Sequence, residues 1–195
     1  TSSGRNSEMI LSIGQFRPEK DHVLQLESLR VLLERHPSIS CKLVLAGSCR
    51  GPSDEKRLEH LRALAVKYSI ANSVEFVVNQ PFSVLQELMQ QASIGIHTMW
   101  NEHFGIGIVE MMAAGLVVIA HNSGGPKTDI VLPNTGFLAK TADEYAERIY
   151  DTMIMDSRKV SEIRRNAQES AKRFTDDVFA QAFERALLDL KLIGR

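Results

Sequence analysis

The sequence predicts an α/β protein built on a doubly wound parallel sheet, followed by a C-terminal helical appendix. Short apolar runs alternate with longer amphipathic segments along most of the chain. Connections of helical length are typical of parallel strands, because the chain must cross back to the same end of the sheet before the next strand begins. The residues with the most distinctive chemistry come directly after the apolar runs, where open α/β sheets bind their ligands.

Each strand is predicted from a short run of apolar and β-branched residues. These runs cover 9–13, 42–46, 74–78, 94–97 and 117–120. The intervening helices are predicted from apolar residues that recur every three or four positions. They cover 22–35, which ends before Pro37, then 54–67, 83–91 with Ser83 as its cap, and 107–114.

Beyond Gly136 the apolar spacing is helical almost throughout, over 142–155, 157–173 and 176–192. We therefore expect a linker at 1–7, a ligand-binding α/β domain at 8–140, and C-terminal helices at 141–195 that pack on that domain.

Charge and hydropathy exclude two classes of partner. The formal net charge of −1 is not that of a broadly basic surface, so we expect no nucleic-acid partner. The apolar run near 111–120 is interrupted by Gly115 and is too short to cross a membrane, so we expect a soluble fragment that does not span one. Any anionic ligand must then be bound by a few individually placed cations.

Five loops that follow the predicted strands carry the candidate functional residues. They are 14–20, 47–51, 79–81, 97–107 and 121–127. All five should open at the carboxyl edge of the sheet, which is the expected ligand site.

The first loop contains Gly14, Arg17 and Lys20. A tight turn with two cations three residues apart suits a diphosphate, which Arg can bind in bidentate fashion and Lys as a point charge. An ordinary solvated loop explains the same residues equally well. The absence of a G-x-G-x-x-G fingerprint argues against a dehydrogenase.

The fourth loop runs into a helix at Gly105 and Gly107, with Glu102 before them and Glu110 after them. Free N–H groups at a helix start favour an anion. We place Glu110 in the first helical turn, where its carboxylate can accept hydrogen bonds from a ribose diol, and Glu102 against another part of the ligand. The alternative is that Glu110 binds no ligand and is simply an acid that the helix dipole stabilises in the first turn.

The fifth loop offers backbone donors at Gly124 and Gly125, with a plain turn as the competing interpretation. Three histidines, His97, His103 and His121, fall on the same edge without a metal-binding spacing. We expect no metal site.

These residues resemble the retaining glycosyltransferases of family four, which have two Rossmann-like domains in the GT-B fold. The run from Glu102 to Glu110 matches the family's E-x7-E motif, and the similarity extends through 112–115, 117–120 and 123–125 and includes Gly14 and Lys20. It covers about residues 8–140. The resemblance implies that the chain is the C-terminal, nucleotide-sugar-binding half of such an enzyme.

The segments 14–20, 98–107 and 120–127 are closest to the mannosyltransferases of asparagine-linked glycosylation. That resemblance implies α-1,2 transfer of mannose from GDP-mannose to a dolichol-linked oligosaccharide, at the cytosolic face of the endoplasmic reticulum membrane. The acceptor would be bound by an N-terminal domain of the parent enzyme, so the isolated chain should be inactive. No metal cofactor is expected.

The resemblance assigns roles to the candidate residues. The catalytic candidates are Glu102, Lys20 and Arg17. The donor-binding candidates are Gly14, Arg17, Lys20, Phe104, Gly105, Ile106, Gly107, Glu110, Gly124 and Gly125.

Two features depart from the family pattern. Gln15 stands where the family has arginine, so Arg17 is expected to supply that charge, and the segment 132–136 is shorter than its counterpart. A related transferase using another donor, such as UDP-glucose, and a non-catalytic nucleotide-binding module remain the alternatives.

Overall fold

A computed structural model describes residues 5–175, which form a six-stranded parallel sheet with helices on both faces. The strands are β1 (Asn6–Ile13), β2 (Lys42–Gly47), β3 (Val74–Val78), β4 (Ala92–His97), β5 (Val117–His121) and β6 (Gly136–Ala139). The helices are α1 (His22–Arg35), α2 (Pro52–Lys67), α3 (Phe82–Gln91), α4 (Ile106–Ala113), α5 (Ala142–Ile154) and α6 (Ser157–Ala171). The helix predicted at 176–192 lies outside the described residues.

The strand order is β3-β2-β1-β4-β5-β6, and every neighbouring pair is parallel. The order reverses between β1 and β4, which pair through Ile10 with Ile94 and Leu11 with Gly95. In doubly wound sheets the connections leave in opposite directions at this point, and a crevice opens beyond the carboxyl ends of the two strands. The loop after β1 and the loop after β4 therefore meet there.

Alternate residues of the central strands are buried in two separate cores, one on each face of the sheet. Ile10 belongs to the core beneath α1, α2 and α5, and its neighbour Leu11 belongs to the core beneath α4 and α6. Successive strand residues point to opposite faces, so a parallel sheet covered on both sides needs apolar residues at nearly every position. This explains the continuous apolar runs of the sequence.

Within residues 5–175, the C-terminal helices α5 and α6 complete these two layers. Helix α5 packs against α1, and α6 packs against α4 on the opposite face. Thr141 begins α5 with a capping box, in which its hydroxyl accepts from the Glu144 N–H while the Glu144 carboxylate accepts from the Thr141 N–H. The apolar stripes of both helices are thus part of the domain core.

Several elements begin earlier than the sequence predicts, and the starts of β1 and α3 are two examples. Strand β1 starts at Asn6, inside the segment expected to be a linker, because the Arg5 guanidinium donates to the carbonyls of Met89, Ala92 and Ala114 and fixes the strand entry. Helix α3 starts at Phe82 after Pro81, so Ser83 does not cap it.

Strand β6 was missed by the sequence analysis. Its four residues pair with β5 at the edge of the sheet, and most of them are only partly buried. None of its residues is β-branched, so the segment lacks the composition from which the other strands were predicted.

Candidate functional site

The predicted loops do open at one edge of the sheet, and the reversal between β1 and β4 brings two of them into contact. Lys20 lies in a short 3-10 turn, Pro18–Lys20, between β1 and α1. Glu102 lies in the loop between β4 and α4. The Lys20 Nζ atom is 3.2 Å from Glu102 Oε2 and 3.3 Å from the sulfur of Met99. Residues far apart in sequence thus form one charged pair.

Glu102 is held as a carboxylate by this pairing. Partial burial alone would raise its pKa, but the hydrogen bond and the positive charge of Lys20 outweigh burial and lower the pKa below the usual range. The other carboxylate oxygen, Oε1, accepts from the His103 N–H at 3.1 Å. Both side chains of the pair keep some exposure, at 26% for Lys20 and 15% for Glu102, so a ligand can reach them.

His97, the last residue of β4, lies behind Glu102. Its Nε2 is 3.6 Å from Glu102 Oε2, but burial, followed by the charge of Lys20, lowers the histidine pKa to about 4. The ring is therefore neutral near pH 7, and its contact with Glu102 is not an ion pair. The Tyr145 hydroxyl of α5 donates to the His97 carbonyl at 2.8 Å, which fixes the strand end beneath the site.

Gly124 and Gly125 support the Glu102 loop from the neighbouring connection. The Gly125 N–H donates to the Glu102 carbonyl at 2.8 Å. A Cβ atom on Gly124 would overlap the Glu102 carbonyl, and one on Gly125 would overlap the His103 carbonyl. The sequence predicts that these glycines bind the donor directly, and in the structure both contact the backbone that carries Glu102.

The amino end of α4 faces the same crevice. Gly105 caps the helix with φ +78°, a conformation that favours glycine, and the N–H groups of Ile106 and Gly107 have no acceptor within the helix. A Cβ atom on Gly107 would lie 3.8 Å from the carbonyl of Ile13, so this helix end lies over the end of β1.

The prediction that Glu110 lies in the first helical turn was wrong. Helix α4 begins at Ile106, so Glu110 is the fifth residue of the helix and belongs to its second turn. The carboxylate is half-buried, and burial raises its pKa. The shift of the helix start follows from Gly105, whose left-handed backbone ends the loop one residue earlier than the sequence suggested.

The remaining predicted residues differ in their surroundings. Gly14 lies against the stem of Lys20, since a Cβ atom there would be 3.5 Å from Lys20 Cγ and Cδ. Arg17 is exposed and makes no side-chain hydrogen bond or ion pair with residues 5–175, so the structure does not bring it to the Lys20–Glu102 pair. Phe104 and Ile106 are 50% and 56% exposed, and Phe104 contacts Phe174 edge-on.

A cavity of about 250 Å³ lies beside Gly14, at the ends of β1, β2 and β3. Two of its loops, 47–51 and 79–81, are among the five that the sequence predicts to carry functional residues. Gln15 of the first loop also lines the cavity, together with four residues that the sequence did not single out, Ser48, Asn79, Gln80 and Leu85. Asn79 has φ +53°. Its side-chain oxygen accepts from the Cys49 N–H and its side-chain nitrogen donates to the Cys49 carbonyl, so the two hydrogen bonds hold the second and third loops together. The available sequence signal was an asparagine directly after a strand, because asparagine adopts the left-handed conformation more readily than most residues.

Residues 5–175 contain no group of three or more His, Cys, Asp or Glu side chains suited to a metal ion. Over the same range, none of the helices is both apolar enough and long enough for a transmembrane span.

The fold and this site together define a glycosyltransferase domain. The chain belongs to the family described as Glycosyl transferases group 1, which matches residues 2–174. Its relatives include the human protein named GDP-Man:Man(3)GlcNAc(2)-PP-Dol alpha-1,2-mannosyltransferase, 48% identical over 184 residues, or 90% of this chain. The protein of that name from Dictyostelium discoideum is 47% identical over 186 residues, or 92% of this chain. The chain spans 37% of the length of each.

Solved structures share the fold. Anabaena Alr3699/HepE in complex with UDP-glucose superposes with a TM-score of 0.80 at 24% identity, covering 94% of this chain and 49% of that one. Sucrose-phosphate synthase from Thermosynechococcus elongatus gives 0.79 at 22% identity, covering 98% and 47%. The predicted Rossmann-like fold of a GT-B glycosyltransferase half is thereby confirmed.

Proposed function

We propose that the chain is the donor-binding half of a retaining mannosyltransferase, which transfers mannose from GDP-mannose in α-1,2 linkage to a dolichol-linked oligosaccharide. The observation that carries the proposal is the Lys20–Glu102 pair, which lies at the reversal point of the sheet and below the free amino end of α4. The names of relatives 47–48% identical over nine tenths of the chain support the choice of donor and acceptor.

The donor diphosphate lies between Lys20 and the N–H groups of Ile106 and Gly107 in this proposal. Both are suited to negative charge, since the ammonium is a point charge and a helix start adds unpaired donors and a favourable dipole. Negative charge on the nucleoside diphosphate grows as the bond to the sugar breaks. Groups fixed in place for that charge stabilise the transition state more than the bound donor. Arg17 can reach the same phosphates only by changing its present exposed position.

The two acids have different duties in the same scheme. Glu110 is half-buried on α4 and accepts hydrogen bonds from the ribose diol. Glu102 faces the transferred mannose, once the diphosphate has taken over the ammonium of Lys20. The base lies in the cavity of about 250 Å³ beside Gly14, whose polar side chains can donate to and accept from a purine. Gly124 and Gly125 act through the Glu102 backbone. These assignments require no metal ion.

The acceptor belongs to the part of the parent enzyme that precedes this domain. A transferase must hold donor and acceptor against each other, and this positioning is worth roughly 7–11 kcal/mol of the barrier. One domain supplies one wall of such a cleft, so the chain of 195 residues should bind the donor without transferring mannose. The parent enzyme then works at the cytosolic face of the endoplasmic reticulum, where its dolichol-linked acceptor is assembled.

Calorimetric titration of the chain with GDP, GDP-mannose, UDP and UDP-glucose tests the proposal. We expect the guanine nucleotides to bind more tightly than the uracil nucleotides. Tighter binding of UDP and UDP-glucose would assign the domain to a related transferase with another donor, and absence of binding by all four would refute the donor site. Incubation with GDP-mannose and a dolichol-linked acceptor should give no product; appreciable transfer would refute the view that the domain is catalytically incomplete.

A further inference from the structure

We infer that Gln25 and Thr98 are positioning residues for the donor diphosphate, because together they fix the backbone from which Lys20 reaches the site. This inference rests on the proposed function. Neither residue was among the candidates that the sequence suggested, and neither side chain faces the ligand crevice. They act through Lys20.

The contact is a short chain of hydrogen bonds across the reversal point of the sheet. Thr98 directly follows β4, and Gln25 lies in the first turn of α1. The Gln25 Nε2 donates to the Thr98 hydroxyl at 2.7 Å. The hydroxyl in turn donates to the Lys20 carbonyl at 2.8 Å, sharing its hydrogen with the Asp21 carbonyl at 3.0 Å.

The direction of these bonds follows from the chemistry of the groups. The Gln25 amide nitrogen can only donate, so the Thr98 hydroxyl accepts from it and its single hydrogen must point toward the carbonyls. Both side chains are buried, at 2% and 1% exposure, so solvent does not compete for the hydroxyl. The Lys20 backbone is therefore tied to the end of β4, the strand that leads to Glu102.

The segment after Lys20 needs such support. Asp21 has φ +46°, a left-handed conformation that is unfavourable for a residue with a side chain, and it serves as the cap of α1. Without the bonds to the two carbonyls, this turn would relax, and the long lysine side chain would start from a variable position. Thr98 thus reduces the freedom that Lys20 must lose when it binds a phosphate.

One buried atom of Gln25 indicates that this residue does more than fill space in the core. Its Oε1 atom is buried and has no hydrogen-bond partner among the described residues. A buried acceptor without a partner is costly, so an apolar side chain of similar size would be the more stable choice at this position. The amide nitrogen, which holds the Thr98 hydroxyl, is the part of Gln25 that compensates.

The test compares GDP with guanosine, since only GDP carries the diphosphate. Thr98→Val removes the hydroxyl while keeping the shape, and Thr98→Ser restores it. We expect Thr98→Val to weaken GDP binding about tenfold, because the Lys20 ammonium would no longer be aligned for its charged hydrogen bond to the phosphate. Guanosine binding should weaken about twofold at most. Thr98→Ser should bind GDP within about threefold of the original chain. Gln25→Met should reproduce the direction of the Thr98→Val effect.

Thr152→Val is the matched control. Thr152 is a buried threonine of α5 whose hydroxyl donates to the Arg148 carbonyl at 2.7 Å, away from the crevice. Its replacement removes a buried hydroxyl at a comparable cost in stability and should leave both affinities unchanged. Thermal unfolding of all variants identifies any that fail to fold. If Thr98→Val is among them, Gln25→Met takes its place in the comparison.

A double substitution tests whether the effect passes through Lys20. In a chain that already carries Lys20→Ala, Thr98→Val should change GDP affinity by less than about twofold. An undiminished loss in that background, or equal loss of GDP and guanosine, would overturn the inference while leaving the donor site intact. If the original chain binds no GDP, the proposed function fails and this inference fails with it.

Discussion

Lys20 and Glu102 neutralise each other, with the ammonium 3.2 Å from the carboxylate. One residue follows β1 and the other follows β4, so the pair spans the reversal point of the sheet. In the proposed function, a diphosphate brings a second anion to the same ammonium. The Lys20–Glu102 distance should therefore lengthen when donor binds, which would make Glu102 available to the sugar.

Replacing Lys20 with alanine should weaken GDP binding much more than guanosine binding. A hydrogen bond to a charged group is worth about 1.5–3 kcal/mol, or about 10- to 150-fold in Kd. Lys42→Ala is the control. Lys42 is the first residue of β2 and forms an ion pair of the same 3.2 Å length with Glu75. Calorimetry measures both affinities. Equal weakening of GDP and guanosine by Lys20→Ala would contradict the diphosphate assignment.

The two acids should separate in their effects. Glu110→Gln should lower GDP affinity by about tenfold, as expected for lost hydrogen bonds to the ribose. Glu102→Gln should leave GDP affinity unchanged or raise it, because it frees Lys20, and should slow mannose transfer in the complete enzyme. Titration of the chain and turnover of the full-length protein measure the two outcomes. Loss of GDP binding in both variants would show that the roles are not divided.

Gly125→Ala should damage the site, whereas Gly107→Ala should not disturb the fold. The new methyl at Gly125 would overlap the His103 carbonyl and displace the loop that carries Glu102, while the methyl at Gly107 has its nearest contact at 3.8 Å. We expect the Gly125 variant to lose about 1–3 kcal/mol of stability, typical of forced overpacking. Urea unfolding gives both values. Equal stability of the two variants would contradict the close contact.

The stability of the domain should fall as the pH is lowered from about 6.5 to about 4. Burial is the largest cause that lowers the pKa of both His22 and His97 to about 4, below the ordinary value of 6.5. Between these values the unfolded chain binds protons that the folded chain does not, so unfolding is favoured as the pH falls. Urea unfolding at several pH values measures the slope.

Each of these histidines should contribute up to one proton to that slope. His22→Gln and His97→Gln should therefore flatten it, while His60→Gln, at an exposed position on α2, should leave it unchanged. A slope that is the same in all three variants would show that neither buried histidine is responsible.

The sheet could be predicted from the sequence wherever strands are buried on both faces. Continuous apolar runs at β1, β2, β4 and β5 leave little choice, because few other elements bury short runs of that kind. Strand β6 could not be predicted, since its pairing depends on the edge offered by β5 and not on its own four residues. The strand order could not be predicted from the sequence either, although the alternation of strands and helices indicated a doubly wound sheet.

The site was predictable in position and only partly in detail. Loops after parallel strands must share an edge, so Lys20 and Glu102 could be assigned to one region. Their direct pairing depends on which two loops the reversal brings together, and this follows from the strand order. The supporting role of Gly125 and the bonds of Thr98 are contacts between distant backbone segments, which residue type and spacing do not encode.

The three carbonyls that receive the Arg5 guanidinium limit how far this chain can be shortened at its amino end. Met89 lies in the last turn of α3, Ala92 opens β4, and Ala114 follows α4, so one side chain joins three elements at the amino edge of the sheet. A shortened fragment that begins after Arg5 would keep every residue of the proposed donor site. It would nevertheless leave these carbonyls without their hydrogen-bond donor. Its yield in expression trials should drop sharply relative to a fragment that retains this single arginine.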